Sequence, residues 1–404
     1  MGLNDVPSSE RVHIAFFGIR NAGKSSLVNA VTGQEMSLVS DVKGTTTDPV
    51  KKAMEILPIG PVLIIDTPGI DDTGELGEKR AGRARRVLEE TDIAVLVSEC
   101  GRERTAAEEE LLTLIKDRGI PAVIAYTKAD IHDNAPEKKV PGSGGSGIKS
   151  ITVSAKTGHN IKEFRDLLSS FDTAEKERKK RIVGDLLEPG DMVVLVIPID
   201  ESAPKGRLIL PQQQTIRDIL ESGCSAVVCR DTELESVLSS LPGKPKMVIT
   251  DSQAYKEVSK VTPEDVFLTS FSVLFARYKG NLEALREGAG MLSRLRDGDR
   301  VLIAEGCTHH RQCNDIGSVK LPKWIREFSG AEPEFSYSSG NDFPEDLSGY
   351  SLIVHCGGCM LNEAEMKYRV KKARENGVPI VNYGMAIACM NGILQRSLEV
   401  FEMN

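Results

Sequence analysis

Gly18-Ile-Arg-Asn-Ala-Gly-Lys24-Ser25 follows the apolar run Val12 to Phe17 and precedes a helical stretch, and its reading decides how the first part of this 404-residue chain folds. A strand that ends in a glycine-rich loop and passes into a helix is the context a phosphate cradle requires. Glycines such as Gly18 and Gly23 let backbone N–H groups converge on phosphate oxygens at a helix N-terminus. Lys24 can neutralise the β and γ phosphates, and Ser25 can offer its hydroxyl to Mg2+. The competing reading, a chance glycine-rich turn, weakens once the downstream motifs are added.

Residues 11 to about 170 alternate short apolar runs (Val12 to Phe17, Val62 to Ile65, Ile93 to Val97, Ala122 to Tyr126, Ser150 to Val153) with polar, helix-like stretches. That rhythm predicts a mostly parallel sheet with crossover helices. Three further motifs close its strands. Asp66-Thr-Pro-Gly69 places a carboxylate for Mg2+ and an N–H for the γ-phosphate. Thr127-Lys128-Ala129-Asp130 presents a carboxylate that can accept from both N1–H and the exocyclic amine of guanine, a pair adenine lacks. Ser154-Ala155-Lys156 presents a backbone N–H for guanine O6. Four motifs in this order, each at a strand's C-terminal end, predict a guanine nucleotide, GTP or GDP, with Mg2+.

With these motifs the region resembles the Ras-like P-loop GTPases. The resemblance implies that Thr45 or Thr46, in Gly44-Thr-Thr-Thr-Asp48, is the threonine that closes on Mg2+ when the γ-phosphate is present. The expected catalytic group is then Lys24, Thr46 and Gly69. Two departures stand out. Thr127 replaces the asparagine that usually opens the fourth motif, which removes an amide bracing the phosphate loop and predicts weaker nucleotide binding. Ile70 occupies the place of the glutamine that orients water, which predicts slow hydrolysis. Asn21, with Gly44-Thr45-Thr46, is similar to the subfamily that uses K+ where others use an arginine finger. The alternative for Asn21 is a loop cap.

Length favours two or three domains at roughly 100–200 residues each, and we expect three. A composition of 40% hydrophobic and 27% charged residues is that of a folded globular chain. The longest apolar runs fall short of a bilayer span, and residues 1–10 lack a signal-like pattern, so a cytoplasmic location and no membrane partner are expected. A net charge of -8 argues against a nucleic-acid partner. Residues 141–147, PGSGGSG, have the composition of a flexible linker and receive no function. From Met192 the strand–helix alternation restarts as a second α/β unit, and a third set of strands begins near Val266.

Eight cysteines without a secretory signal read as thiols or metal ligands. Cys307-Thr-His309 follows the run Val301 to Ala304, and His355-Cys356-Gly-Gly-Cys359 follows Leu352 to Val354, so both are expected at the C-terminal edge of one parallel sheet. Three thiolates and an imidazole suit tetrahedral zinc or a cubane cluster, and the residue chemistry leaves these even.

A Ras-like GTPase region joined to Cys-Thr-His and His-Cys-Gly-Gly-Cys resembles the FeFe-hydrogenase maturation GTPases, the HydF family, along the whole chain. The resemblance implies a 4Fe-4S cluster on Cys307, Cys356 and Cys359, with His309, His355 or an exchangeable external group on the fourth iron. It further implies a scaffold or carrier for a di-iron precursor, with FeFe-hydrogenase apoenzyme and radical-SAM maturases as partners, and a homodimer formed through the middle domain. The expected layout is a GTPase domain over 1–172, a linker helix over 173–185, a dimerisation domain over 186–263 and a cluster-binding domain over 264–404. Two other readings stay open here: a redox-sensing regulatory GTPase, and a GTPase with a structural zinc site.

Overall fold

The computed structural model describes residues 6–33, 49–57, 59–70, 75–131, 148–171, 180–199, 208–306, 315–340 and 342–402. The chain divides into two compact units, residues 1–179 and 180–404.

In the first unit the chain runs β1 (Val12–Phe17), α1 (Lys24–Thr32), β2 (Val50–Ile56), β3 (Gly60–Asp66), α2 (Glu75–Glu89), β4 (Ile93–Glu99), α3 (Ala106–Asp117), β5 (Ala122–Thr127), β6 (Ile148–Thr152) and α4 (Ile161–Ser169). The six strands form one sheet ordered β2-β3-β1-β4-β5-β6, with every pairing parallel except β2 with β3. Alternation along β1 explains its largely apolar sequence, which only His13 interrupts. Val12, Ile14 and Phe16 point to a core with Leu27, Val28, Phe164 and Leu168, whereas Ala15 and Phe17 point to one with Leu88, Leu111, Leu112 and Ile115. A parallel strand covered by helices on both faces has no polar side to offer. Helix α3 starts where Thr105 and Glu108 form a reciprocal cap.

The second unit contains β7 (Met192–Val196), α5 (Leu210–Glu221), β8 (Ser225–Cys229), α6 (Leu234–Ser240), β9 (Met247–Thr250), α7 (Tyr255–Val261), β10 (Phe267–Ser270), α8 (Phe271–Lys279), α9 (Leu282–Ala289), β11 (Arg300–Glu305), α10 (Leu321–Ser329), β12 (Glu334–Ser339), β13 (Leu352–His355), α11 (Glu363–Glu375), β14 (Ile380–Asn382), α12 (Tyr383–Met390) and α13 (Leu394–Leu398). It holds two four-stranded parallel sheets, β10-β9-β7-β8 and β12-β11-β13-β14. Strand β10, grouped by its sequence with the third region, pairs instead with β9 in the middle sheet. Helix α8 joins the two cores. Its Phe271, Leu274 and Phe275 pack on the middle sheet, and its Val273 and Ala276 pack with the last sheet. The chain end returns too, with Ala388 and Ile393 packing beside Val194, Val248 and Leu268.

Two strands were not foreseen from the sequence, β2 and β12. Both lie at sheet edges, where one face is wet and the residues are polar, as in Lys51-Lys52 and Ser336-Tyr-Ser-Ser339. Among the described residues no helix is long and apolar enough to cross a membrane. The linker segment 141–147 and most of the expected linker helix lie outside the described residues.

Gly288 brings α9 against β14: a Cβ there would lie 2.0 Å from the carbonyl oxygen of Ile380. Gly288→Ala should therefore destabilise the second unit by about 1–3 kcal/mol through overpacking, read as a lower urea midpoint.

Candidate nucleotide site and cysteine site

The nucleotide site gathers at the C-terminal ends of β1, β3, β5 and β6. Gly18 and Gly23 take positive φ of 151° and 88°, and Asn21 takes 62°, so the loop curls before α1 begins at Lys24. Lys24 is buried, and its ammonium donates to the carbonyls of Gly18 at 3.0 Å and Ile19 at 2.7 Å, at the centre of the loop. Ser25 Oγ donates to Asp66 Oδ2 at 2.9 Å, so the two expected Mg2+ ligands adjoin. Asp66 is buried and its other oxygen, Oδ1, has no hydrogen-bond partner among the described residues. Burial raises the pKa of this carboxyl, against the opposing pull of Ser25 and Lys24. A buried carboxylate oxygen left without a donor, next to a serine hydroxyl, fits a hard cation with oxygen ligands.

Thr67 Oγ1 donates to Phe16 O at 2.8 Å, and Ile70 N to Gly18 O at 3.3 Å, which ties the segment after β3 to the phosphate loop. Gly69 lies between these two contacts. The Ile70 side chain packs against the core shared by α2 and α3. Thr127 departs from expectation. Its hydroxyl donates to Ala22 O at 2.6 Å, so the loop keeps a brace across 105 residues of sequence, made by a hydroxyl in place of an amide. Asp130 is exposed, and Ser154 Oγ donates to its Oδ1 at 2.7 Å, which orients it and holds its carboxyl below the usual range. Ala155 and Lys156 follow in the same turn, and Lys128 Nζ pairs with Glu99 at 2.8 Å. Thr45 and Thr46 lie outside the described residues. The side chain of Asn21, exposed, makes no hydrogen bond to the described residues.

In the second unit, β11 and β13 pair in parallel with Ala304 opposite His355, which brings the ends of the two cysteine motifs together. Gly306, the residue before Cys307, donates its N–H to Cys356 Sγ at 3.0 Å, and Gly358 donates a second at 3.4 Å. Gly358 has φ 62° and Met366 Sδ 2.5 Å from where a Cβ would stand, so the loop needs glycine there. Burial pushes the Cys356 thiol up to about 11, while the two amides pull it down. Backbone N–H groups aimed at sulfur are the environment a cluster thiolate requires, and metal coordination deprotonates a thiol outright. Cys359 is half-exposed at the other end of this loop. Cys307 and His309 lie outside the described residues.

His355 requires a correction to its reading as a candidate iron ligand. It is fully buried, its Nδ1 contacts Cys356 O at 2.7 Å, and its Nε2 contacts Arg369 Nη1 at 2.9 Å. The guanidinium can only donate, so Nε2 accepts and Nδ1 carries the proton. Burial and the Arg369 charge drop its pKa to about 3. Both nitrogens of this neutral ring are committed, and neither has a lone pair to spare.

Two residues beside this loop escaped the sequence reading, Lys279 and Arg369. The legible signal was positional. Each is a cation on the buried face of a helix, Arg369 among Met366, Val370 and Ala373, and Lys279 near Phe275 and Ala276.

A mostly parallel sheet with a glycine-rich loop at its switch point defines a P-loop GTPase domain, joined here to a two-sheet unit bearing a cysteine loop. Residues 13–128 match the family described as 50S ribosome-binding GTPase. Residues 182–280 match the hydrogen maturase F dimerization domain, and residues 283–400 the hydrogen maturase F tetramerization domain. The chain belongs to the hydrogen maturase F family. It is 41% identical over 132 residues to the GTPase Der of Wolinella succinogenes, covering 32% of this chain and 27% of that one. It is 34% identical over 152 residues to the tRNA modification GTPase MnmE of Heliobacterium modesticaldum, covering 37% and 32%. The chain thus spans about a third or less of the length of either relative. The solved structure of Aquifex aeolicus Era bound to GDP and AlF4- is 20% identical, with a TM-score of 0.34 over 62% of this chain and 97% of that chain.

Thr127→Val keeps the shape of the side chain and deletes the donor to Ala22. It should weaken GDP binding by roughly tenfold, the consequence of about 1–2 kcal/mol from a lost buried hydrogen bond, measured by titration with a fluorescent GDP.

Proposed function

We propose that this chain binds GTP with Mg2+, hydrolyses it to GDP and phosphate, and couples that cycle to a 4Fe-4S cluster held in its second unit, serving maturation of FeFe-hydrogenase. The observation that carries the reading is the pair of backbone N–H groups on Cys356 Sγ, one of them from Gly306 at the foot of the Cys307 motif.

In the first unit, Lys24 and the phosphate-loop amides hold the β and γ phosphates, and Ser25, Asp66 and Thr46 are the side chains that would hold Mg2+. Bound there, the ion supplies charge neutralisation of the phosphates. Gly69 offers its N–H to the γ-phosphate. Asp130, steadied by Ser154, selects guanine by accepting from two donors. With Ile70 packed into the core and no glutamine in its place, water is poorly oriented and turnover is slow. Asn21, exposed and in left-handed backbone, would help hold K+, whose charge would stand in for an arginine finger.

In the second unit, Cys307, Cys356 and Cys359 would hold the cluster. Three thiolates leave one iron for an exchangeable ligand, and His309 or an external group is available for it, since His355 is committed elsewhere. The cargo is a di-iron fragment, accepted from radical-SAM maturases and passed to the hydrogenase apoenzyme. The dimerization-domain match at residues 182–280 supports a homodimer through the middle sheet.

Anaerobic purification tests the central claim. About four iron and four sulfide per chain and a paramagnetic signal on reduction are expected, whereas stoichiometric zinc without iron would sink it. Cys356→Ser should abolish the cluster while GTP hydrolysis continues. Exchange of K+ for Na+ should slow hydrolysis several-fold, and an unchanged rate would dismiss the role given to Asn21.

A further inference from the structure

The loop Cys356-Gly-Gly-Cys359 contains two of the three thiols yet has almost no side chain of its own to hold it. Glycine loses more conformational freedom on ordering than any other residue, so a rigid spacing of the two sulfurs must be imposed from outside. Two buried cations grip the main chain around it. Lys279, the last residue of α8, is 4% exposed, and its ammonium donates to Leu361 O at 2.9 Å and approaches the carbonyls of Gly358 and Cys359 at 3.4 Å each. Arg369 on α11 is 1% exposed. Its guanidinium reaches His355 Nε2 at 2.9 Å, Gly340 O at 2.6 Å and Glu365 Oε1 at 2.5 Å, and lies 5.1 Å from the Phe343 ring centroid. Through that contact His355 presents Nδ1–H to Cys356 O at 2.7 Å.

We propose that Lys279 and Arg369 are positioning residues for the cluster, clamping the carbonyls at the two ends of the cysteine loop so that Cys356 and Cys359 are held ready for iron. The proposal rests on the reading that this loop carries a cluster. Its geometry is two-sided. Arg369 acts on the N-terminal end through His355, and Lys279 acts directly on the C-terminal end.

Burying a lysine and an arginine is expensive unless each is fully hydrogen-bonded. Here the partners of both include loop carbonyls or the histidine that grips one. The carbonyls are drawn toward the cations while the N–H groups of Gly306 and Gly358 are left facing Cys356 Sγ. Partners of this outer kind fix ligand orientation, and their loss weakens metal retention about 10–100-fold. The same positive charges favour the reduced cluster, which carries one more electron.

The test uses the full chain, reconstituted anaerobically with iron and sulfide, as wild type, Lys279→Met, Arg369→Met and Arg369→Lys. Iron release to a ferrous chelator should be about tenfold faster in the Met variants, and their midpoint potentials more negative. Arg369→Lys keeps the charge but cannot span His355, Gly340 and Glu365 together, so it too should release iron faster. Wild-type release and wild-type potential in these variants would overturn the clamp. In apoprotein, alkylation of Cys359 should be faster in Lys279→Met than in wild type, and equal rates would overturn the clamp with no cluster present. Failure of wild type itself to take up iron would instead remove the cluster reading. Far-UV circular dichroism shows that each variant is folded, and Arg369→Lys carries the comparison if a Met variant is not.

Discussion

A parallel strand covered on both faces can offer chemistry only at its ends, and that constraint places nearly every candidate functional group in this protein. β1, β3 and β5 are largely apolar along their lengths, and Lys24, Asp66, Thr127, Asp130 and Ser154 stand at or just beyond the C-terminal ends of β1, β3, β5 and β6. β11 and β13 repeat the arrangement with Gly306 and Cys356. The carboxyl edge of such a sheet is where loops splay and helix N-termini collect, so polar ligands are met there. Two unrelated chemistries, phosphate and thiol, thus occupy the same geometric position in two separate units.

The sites differ in how they treat charge. In the first unit a buried carboxylate, Asp66, keeps one oxygen without a donor among the described residues, and burial raises its pKa, which disfavours the ionised form unless a cation is near. In the second, backbone N–H groups already face Cys356 Sγ, and the adjacent imidazole is held neutral by burial and by a neighbouring arginine. A neutral His355 spares the loop a second positive charge against Arg369 and lets the ring act as a rigid spacer between the guanidinium and Cys356 O.

Helix α8 gives the second unit its unity. One face packs on the middle sheet, the other on the last sheet, and its final residue reaches the cysteine loop. The chain end reinforces this by packing back on the middle sheet. Family boundaries at 280 and 283 therefore separate two sequence modules that share packing within one compact unit.

Local signals carried the class of fold and the position of four motifs at strand ends, because each motif is made by residues adjacent in the chain. The parallel pairing of the two cysteine strands was legible for the same reason, since both are short apolar runs followed at once by thiols. Edge strands β2 and β12 were not, because half-wet strands lack the apolar pattern that marks buried ones. What only the tertiary structure decided are contacts between distant residues. Thr127 braces Ala22 across 105 positions, Gly306 meets Cys356 across 50, and Lys279 meets Leu361 across 82. His355 reads as a ligand beside cysteines until Arg369, on the next helix, is seen to take its free nitrogen. A sequence specifies which donors and acceptors exist, but only packing determines which are spent on each other and which remain for a ligand.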